Sequence, residues 1–331
     1  MNRCTRCVLP TSFPGISFDA EGLCNHCRRG SVSATQLDLQ RRYREKFEVL
    51  IGELAGRSSH DVLMAYSGGK DSTYTLDIFV NRYKLRVLAL TFDNAFLSGA
   101  ALENVKTVCA SLGADSLVVQ PDAAMLKRVF GVAAEEELFA SKTLERASTI
   151  CTSCIGMVKG VTLRTAIERA IPFVGFGWSP GQAPVQASVM KTNAALMRTT
   201  QRAIQEPLRR VAGAAVDPYF VSDEQFELAD NFPWNVHPLA FLDYDEEAIL
   251  DRIRELGWTK PDDTDPNSTN CLLNSYANQL HRERYGFHPY VWEIANIVRS
   301  GAMTREEGLA KVEPAENERL VNLARQSLVG A

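Results

Sequence analysis

The sequence predicts an α/β protein built on a doubly wound parallel sheet, with a zinc ribbon ahead of the sheet and a helical extension behind it. Three observations carry that prediction. Short apolar runs of strand length alternate with amphipathic helical stretches between Asp61 and Gly177. The first run leads straight into a Ser-Gly-Gly turn that opens a helix. Two Cys-x2-Cys pairs precede everything else.

Residues 1–30 are cysteine-dense and rich in turn formers, and read as a zinc-ribbon-like module. Residues 31–60 read as a helical linker, because Leu37, Leu39, Tyr43, Phe47, Leu50 and Leu54 recur at helical spacing among charges. Residues 61–245 form the nucleotide-binding unit. In it Asp61–Tyr66, Arg86–Phe92, Ser116–Gln120 and Ile171–Gly177 read as strands. Asp71–Tyr83, Leu102–Leu112 and Val158–Ala170 read as the helices between them. The stretch from about 178 to 235 shows no clear period and is expected to hold a lid or an insertion. Residues 246–331 form a helical C-terminal region, starting with Glu246–Leu256 and ending with Arg305–Leu328.

Composition narrows the class. The 331 residues are 45% hydrophobic and 23% charged, with a net charge of −4, which fits a globular protein with a full core. Bulk nucleic-acid binding normally shows as a basic domain, and none dominates. Arg198, Arg202, Arg209 and Arg210 read as a solvated helix face. No apolar run approaches the ~20 residues of a membrane span, and Met1-Asn2-Arg3-Cys4 has no signal-peptide core. A cytoplasmic protein without membrane contact is expected, so the eight cysteines are read as metal ligands, catalytic groups or core rather than disulfides.

Ser67-Gly68-Gly69-Lys70-Asp71-Ser72 follows a buried strand and starts a helix. Paired glycines let successive N–H groups turn toward an anion. The helix N-terminus adds its positive dipole end. The Ser67 and Ser72 hydroxyls and the Lys70 ammonium can complete a phosphate cradle, and Asp71 can hold Mg²⁺ beside it. The Lys stands too close to the glycines for a Walker loop.

Cys4-x2-Cys7 and Cys24-x2-Cys27, sixteen residues apart, have zinc-ribbon spacing, and four thiolates around Zn²⁺ make a closed, structural site. Cys151-x2-Cys154 and Cys271 form a set of three that is read differently. Cys151 and Cys154 are expected directly before the helix leading to the fourth strand. Metal binding, a catalytic persulfide and plain burial are all open to them. Cys109 reads as packing in an apolar helix.

On the six residues from Ser67 to Ser72 the chain resembles the PP-loop (N-type) ATP pyrophosphatases. That resemblance implies an adenine-nucleotide-hydrolase-like sheet and cleavage of ATP between its α- and β-phosphates. It also implies nucleotide contacts at the strand end Thr91-Phe92-Asp93-Asn94, above all at Thr91 and Phe92, and at Gly177. The order of Cys151-x2-Cys154, Pro238-Leu239, a Glu-bearing helix and Cys271 resembles the tRNA 2-thiolation enzymes of the superfamily. In those, three thiolates hold a [4Fe–4S] cluster, so the resemblance implies such a cluster at Cys151, Cys154 and Cys271, with one iron left open because three ligands leave it so. The two ends of the chain, Cys4 to Pro10 with Cys24-Asn25-His26-Cys27, and Arg299 to Glu307, resemble the N-acetyl sugar amidotransferase-like proteins, which take ammonia from a glutaminase partner.

The reading that joins these features is an ATP-dependent sulfurtransferase. It adenylates a substrate carbonyl oxygen, releases pyrophosphate and puts sulfur in the oxygen's place, with Lys70, Asp71, Cys151, Cys154 and Cys271 carrying the chemistry. The alternative is an ammonia-using amidotransferase of a nucleotide-linked N-acetyl sugar. A zinc-ribbon nucleic-acid adaptor is the non-enzymatic competitor. A small nucleotide-like substrate is favoured over tRNA, which stays open. A sulfur donor or glutaminase partner, and a homodimer, are compatible with the chain. The loop Trp178–Pro184 is expected at the pocket. Lys191 and Arg198 are expected together on one helix, His237 as packing, and Asp262, Asp263 and Asp265 as a solvated turn.

Overall fold

A computed structural model describes residues 2–28, 34–265 and 267–329. Six strands form one sheet: β1 (Val62–Ala65), β2 (Val87–Phe92), β3 (Asp115–Val119), β4 (Phe173–Phe176), β5 (Val189–Lys191) and β6 (Trp234–Val236). Their order is β3-β2-β1-β4-β6-β5. All neighbours run parallel except β5, which pairs antiparallel with β6 at the edge. Val62 is in register with Val87 on one side and Phe173 on the other.

Alternation along the strands fills two cores. Leu63, Leu88, Leu90 and Val174 face one layer, made by helices Ala123–Glu135, Thr149–Glu168 and Ala194–Ala212 with the later helices Asn274–Tyr285 and Glu318–Val329. Val62, Met64, Val87, Ala89 and Phe173 face the other, made by Ala34–Leu54, Lys70–Asp77, Gly99–Leu112 and Glu246–Glu255. Central strands buried on both faces explain why they read as unbroken apolar runs. The chain builds β2 and β3 on one side of β1, then crosses to place β4 on the other. The carboxyl ends of β1 and β4 therefore flank the point where strand order reverses, and there the loops part to leave a crevice.

Several expectations change against this frame. The stretch read as a linker is core structure: Phe47 is fully buried and packs edge-on against Phe79 and Phe173. The boundary drawn between residues 30 and 31 lies outside the described residues. Helix Thr149–Glu168 starts well before Val158, so Cys151 and Cys154 lie within its first turns, not ahead of it. Ser148 fixes that start by accepting a hydrogen bond from Cys151 N at 3.2 Å. This helix is also long and apolar enough to cross a membrane, but most of it is buried inside the protein as the central helix of one layer. Residues 178–235 hold β5, the helix Ala194–Ala212 and part of the sheet edge. The expected terminal helix is two, Arg305–Val312 and Glu318–Val329, parted around Pro314.

Candidate active site at the glycine turn

Gly68 stands at φ +72°, and a Cβ there would lie 2.2 Å from the Ala101 carbonyl oxygen. The turn needs glycine both for its backbone angle and for that close approach. Gly177, at the end of β4, backs the same turn: a Cβ on it would lie 2.3 Å from Ser72 Cα. Trp258 Nε1 donates to the Gly68 carbonyl at 2.9 Å, which holds the turn from behind. Thr269 Oγ1 accepts from Lys70 N at 2.9 Å, and Ser67 and Ser72 Oγ meet at 3.1 Å. A cavity of about 250 Å³ opens over this turn. Its wall includes Ser67, Gly69, Lys70, Asp71, Ser72 and Gly177, which sequence reading had grouped together.

Lys70 Nζ lies 2.7 Å from Tyr244 Oη, 3.0 Å from Glu246 Oε1 and 3.4 Å from Asp71 Oδ1. Burial acts to lower the Lys70 pKa, but Asp71 and Glu246 outweigh it, so the ammonium is held charged. Tyr244 Oη donates to Asp71 Oδ1 at 2.9 Å. A cation gripped by two carboxylates and a phenol is preset in position and still faces the cavity.

Glu293 enters the cavity from helix Val291–Ser300 and accepts a hydrogen bond from Ser179 Oγ. The same helix holds the loop after β4 through Asn296 Nδ2, which donates to the Gly181 carbonyl at 2.8 Å. Burial, with Asp71 nearby, pushes the Glu293 carboxyl up to about 7. Between its ordinary value of 4.5 and about 7, the unfolded chain gives up this proton while the folded chain keeps it. Stability from this group therefore falls as pH rises through that window. Glu293→Gln is expected to gain stability over the natural chain by roughly 1–3 kcal/mol at pH 8 and to lose that advantage at pH 5. Urea unfolding of both proteins at the two pH values measures it; a constant difference would show that the carboxyl does not titrate in that window.

Cys151, Cys154 and Cys271 come together beside this cavity. Asn94 Nδ2 lies 3.4 Å from Cys154 Sγ and 3.8 Å from Cys271 Sγ. Asn274 Nδ2 lies 4.0 Å from Cys151 Sγ and donates to Tyr290 Oη at 2.7 Å. Two carboxamides thus direct N–H groups at three sulfurs, two of which sit at a helix N-terminus. Cys271 is fixed by an antiparallel bridge to Leu97, two residues after Thr269, which bonds the glycine turn. The sulfurs do not line the cavity; Asn270 and Tyr290, which do, stand next to them. Burial pushes the Cys151 and Cys154 thiols up to about 12, so as free thiols they would be poor nucleophiles. A soft three-sulfur set with amide donors, in an apolar setting, fits an iron–sulfur cluster.

At the other end of the site the four N-terminal sulfurs lie within 4.8 Å of one another, all on buried cysteines. Cys4 and Cys27 Sγ are 3.8 Å apart, as are Cys7 and Cys24 Sγ. Tetrahedral Zn–S bonds of ~2.3 Å require sulfurs ~3.8 Å apart, so the set fits zinc. Backbone N–H groups of Cys7 and Cys24 point at Cys4 Sγ, at 3.5 and 3.3 Å. The knuckles pack on Phe287, Val291, Ile294 and Val312, so this module rests on the helices that also carry Glu293.

No family model matches the chain. It is 20% identical over 313 residues to an uncharacterized protein of Methanocaldococcus jannaschii, a match spanning 94% of this chain and 93% of that one. Among solved structures it is similar to the U34-tRNA thiolase NcsA from Methanococcus maripaludis with its [4Fe–4S] cluster, at 15% identity and a TM-score of 0.38, covering 100% of this chain and 89% of that chain. Likenesses this distant assign no residue a role.

Other expected positions fall elsewhere. Thr91 and Phe92 are buried: Thr91 Oγ1 donates to the Tyr66 carbonyl at 2.8 Å, and the Phe92 ring packs edge-on against Tyr219. Neither lines the cavity. Lys191 is on β5, not on the following helix, and donates to the Phe232 carbonyl. Arg198 is on that helix and pairs with Asp223. His237 is buried and stacks on Trp178 with ring centroids 4.4 Å apart. Asp265 is buried, not solvated, and accepts from Asn267 N at 2.8 Å. Asn94, expected at the nucleotide-contacting strand end, turns its amide to two sulfurs instead, and Asn274, Tyr244 and Glu293 were not expected as site residues. Glu293 had a visible signal: it is the lone charge in the run Val291–Val298.

Proposed function

We propose that this protein is an ATP-dependent sulfurtransferase that adenylates a carbonyl oxygen of a small, nucleotide-like substrate and replaces that oxygen with sulfur. The observation that carries the reading is the adjacency of the two sets. Thr269 bonds the glycine turn, and two residues later Cys271 joins Cys151 and Cys154 around the Asn94 and Asn274 amides.

In this mechanism ATP seats its phosphates on the N–H groups of the turn, with Lys70 against them and Asp71 oriented for Mg²⁺, which would screen the phosphate charge. The substrate carbonyl oxygen attacks the α-phosphorus, and the α–β bridging bond breaks. Pyrophosphate leaves under charge stabilisation by Lys70 and the helix N-terminus. The turn's contribution is positioning and electrostatics rather than covalency. Sulfide then attacks the activated carbon, and AMP departs with the original oxygen. A cluster held by Cys151, Cys154 and Cys271 would supply an iron without a protein ligand, where sulfide can be held. Zinc at Cys4, Cys7, Cys24 and Cys27 would have no open position and so a structural role.

The test supplies ATP, a panel of carbonyl-bearing nucleotides and purines, and either sulfide or ammonium under anaerobic conditions, and follows AMP, pyrophosphate and product mass. Sulfide-dependent AMP release with a product heavier by the oxygen-to-sulfur exchange is expected. Ammonium-dependent AMP release without any need for sulfide would replace this reading with the amidotransferase one.

A further inference from the structure

A second, larger cavity of about 740 Å³ adjoins the first, and Gln182 and Tyr244 border both. That volume is of small-ligand size. The guanidinium groups of Arg146 and Arg299 both lie over the Trp292 ring at its wall, 5.5 and 5.3 Å from the centroid. Phe13 stacks behind the same ring at 5.4 Å, which fixes the indole. Neither arginine forms an ion pair among the described residues: Arg146 donates to the Gln182 carbonyl at 3.4 Å, and Arg299 to Asn296 Oδ1 and Cys7 Sγ. Among the described residues lining this cavity, Asp243 is the one acidic side chain. A third cation stands close by. Lys159 lies 4.5 Å over Trp178, forms no ion pair among the described residues, and is lowered to about 8 by burial and by the charge of Arg146.

Arg146 has no ion-pair partner among the described residues and Arg299 faces only the Cys7 sulfur of the four-cysteine centre, so an anion entering between the two guanidiniums would meet little competing charge. One carboxylate is satisfied by one bidentate guanidinium. Two guanidiniums match the charge and can reach the three free oxygens of a phosphate monoester dianion. ATP's own phosphates belong to the glycine turn on the far side of Tyr244. Resting on the sulfurtransferase reading, we infer that the larger cavity is the acceptor site and that Arg146 and Arg299 grip a terminal phosphate monoester of the acceptor. Its reactive carbonyl then reaches past Gln182 toward the α-phosphorus.

The experiment is a binding measurement on the full chain with the glycine turn filled by α,β-methylene-ATP, which is not cleaved between its first two phosphates. Inorganic phosphate, ribose 5-phosphate, ribose, UDP-N-acetylglucosamine and an RNA stem-loop are titrated in by ³¹P NMR and calorimetry. Phosphate and ribose 5-phosphate are expected to bind and ribose not to. Arg146→Gln is expected to weaken ribose 5-phosphate binding by about tenfold or more. Arg299→Gln does the same but also touches Cys7, so Arg146→Gln, which is clear of the cysteines, decides the matter. Equal binding of ribose, an unaltered Arg146→Gln, or preference for the sugar diphosphate diester or the RNA would each overturn the assignment. If Arg146-dependent phosphate binding persists while no sulfur product forms from any acceptor, the sulfurtransferase reading falls and the anion site stands.

Discussion

Lys70→Met is expected to cut pyrophosphate release from ATP by two to three orders of magnitude, about what removal of one preorganised charge from a transition state costs. Lys70 has little freedom: Tyr244 Oη at 2.7 Å and Glu246 Oε1 at 3.0 Å fix its ammonium at the cavity wall. A charge held in advance need not reorganise when the leaving pyrophosphate develops its own. The loss should fall mainly on kcat, because the backbone N–H groups of the turn remain to bind ground-state ATP. The fold should survive, since Glu246 keeps Lys311 at 3.4 Å; leaving Asp71 and Glu246 short of one partner costs roughly 1–3 kcal/mol. Lys70→Arg is not expected to rescue, because a planar fork cannot occupy the point between phenol and carboxylates. The measurement is steady-state pyrophosphate release beside a urea melt. A folded Lys70→Met protein within threefold of the natural rate would remove the phosphates from this turn.

What could be read in the sequence was what short-range physics fixes. The glycine turn was legible because strand, Gly68 at positive φ and helix start are consecutive. The four-sulfur centre was legible because each knuckle is local, with its two cysteines three positions apart. The partners of Lys70 were not, because Tyr244 and Glu246 come from a helix start 174 and 176 residues away. Asn94 and Asn274 met the sulfurs only through tertiary packing, and an asparagine has no periodic signature. The edge strand β5 spans three residues, with Met190 exposed, so alternation had no length over which to show. The start of helix Thr149–Glu168 was missed because Thr149, Cys151, Thr152, Ser153 and Cys154 are weak helix formers that favour caps and turns. Burial and the Ser148 cap override that local preference.

The second large effect concerns the sulfurs. Alanine at Cys151, Cys154 or Cys271 is expected to lower thiolated product by about a thousandfold or more, because removal of one member of a unit disables the whole. Pyrophosphate release should stay within a few-fold of the natural rate, since none of the three sulfurs lines the phosphate cavity. The two carboxamides make the set more than three neighbours. Asn94 reaches both Cys154 and Cys271, so Asn94→Ala should weaken iron retention by about ten- to a hundredfold, as loss of an outer partner does. Anaerobic purification followed by iron analysis reads this directly: about four irons per chain in the natural protein, and none after any one of the three alanine substitutions. A persulfide relay makes a different pattern. It needs no iron, and only the sulfur-carrying cysteine would be indispensable. An iron-free natural protein with full activity, in which one cysteine matters and two do not, would leave the adenylating turn in place and take the cluster away from it.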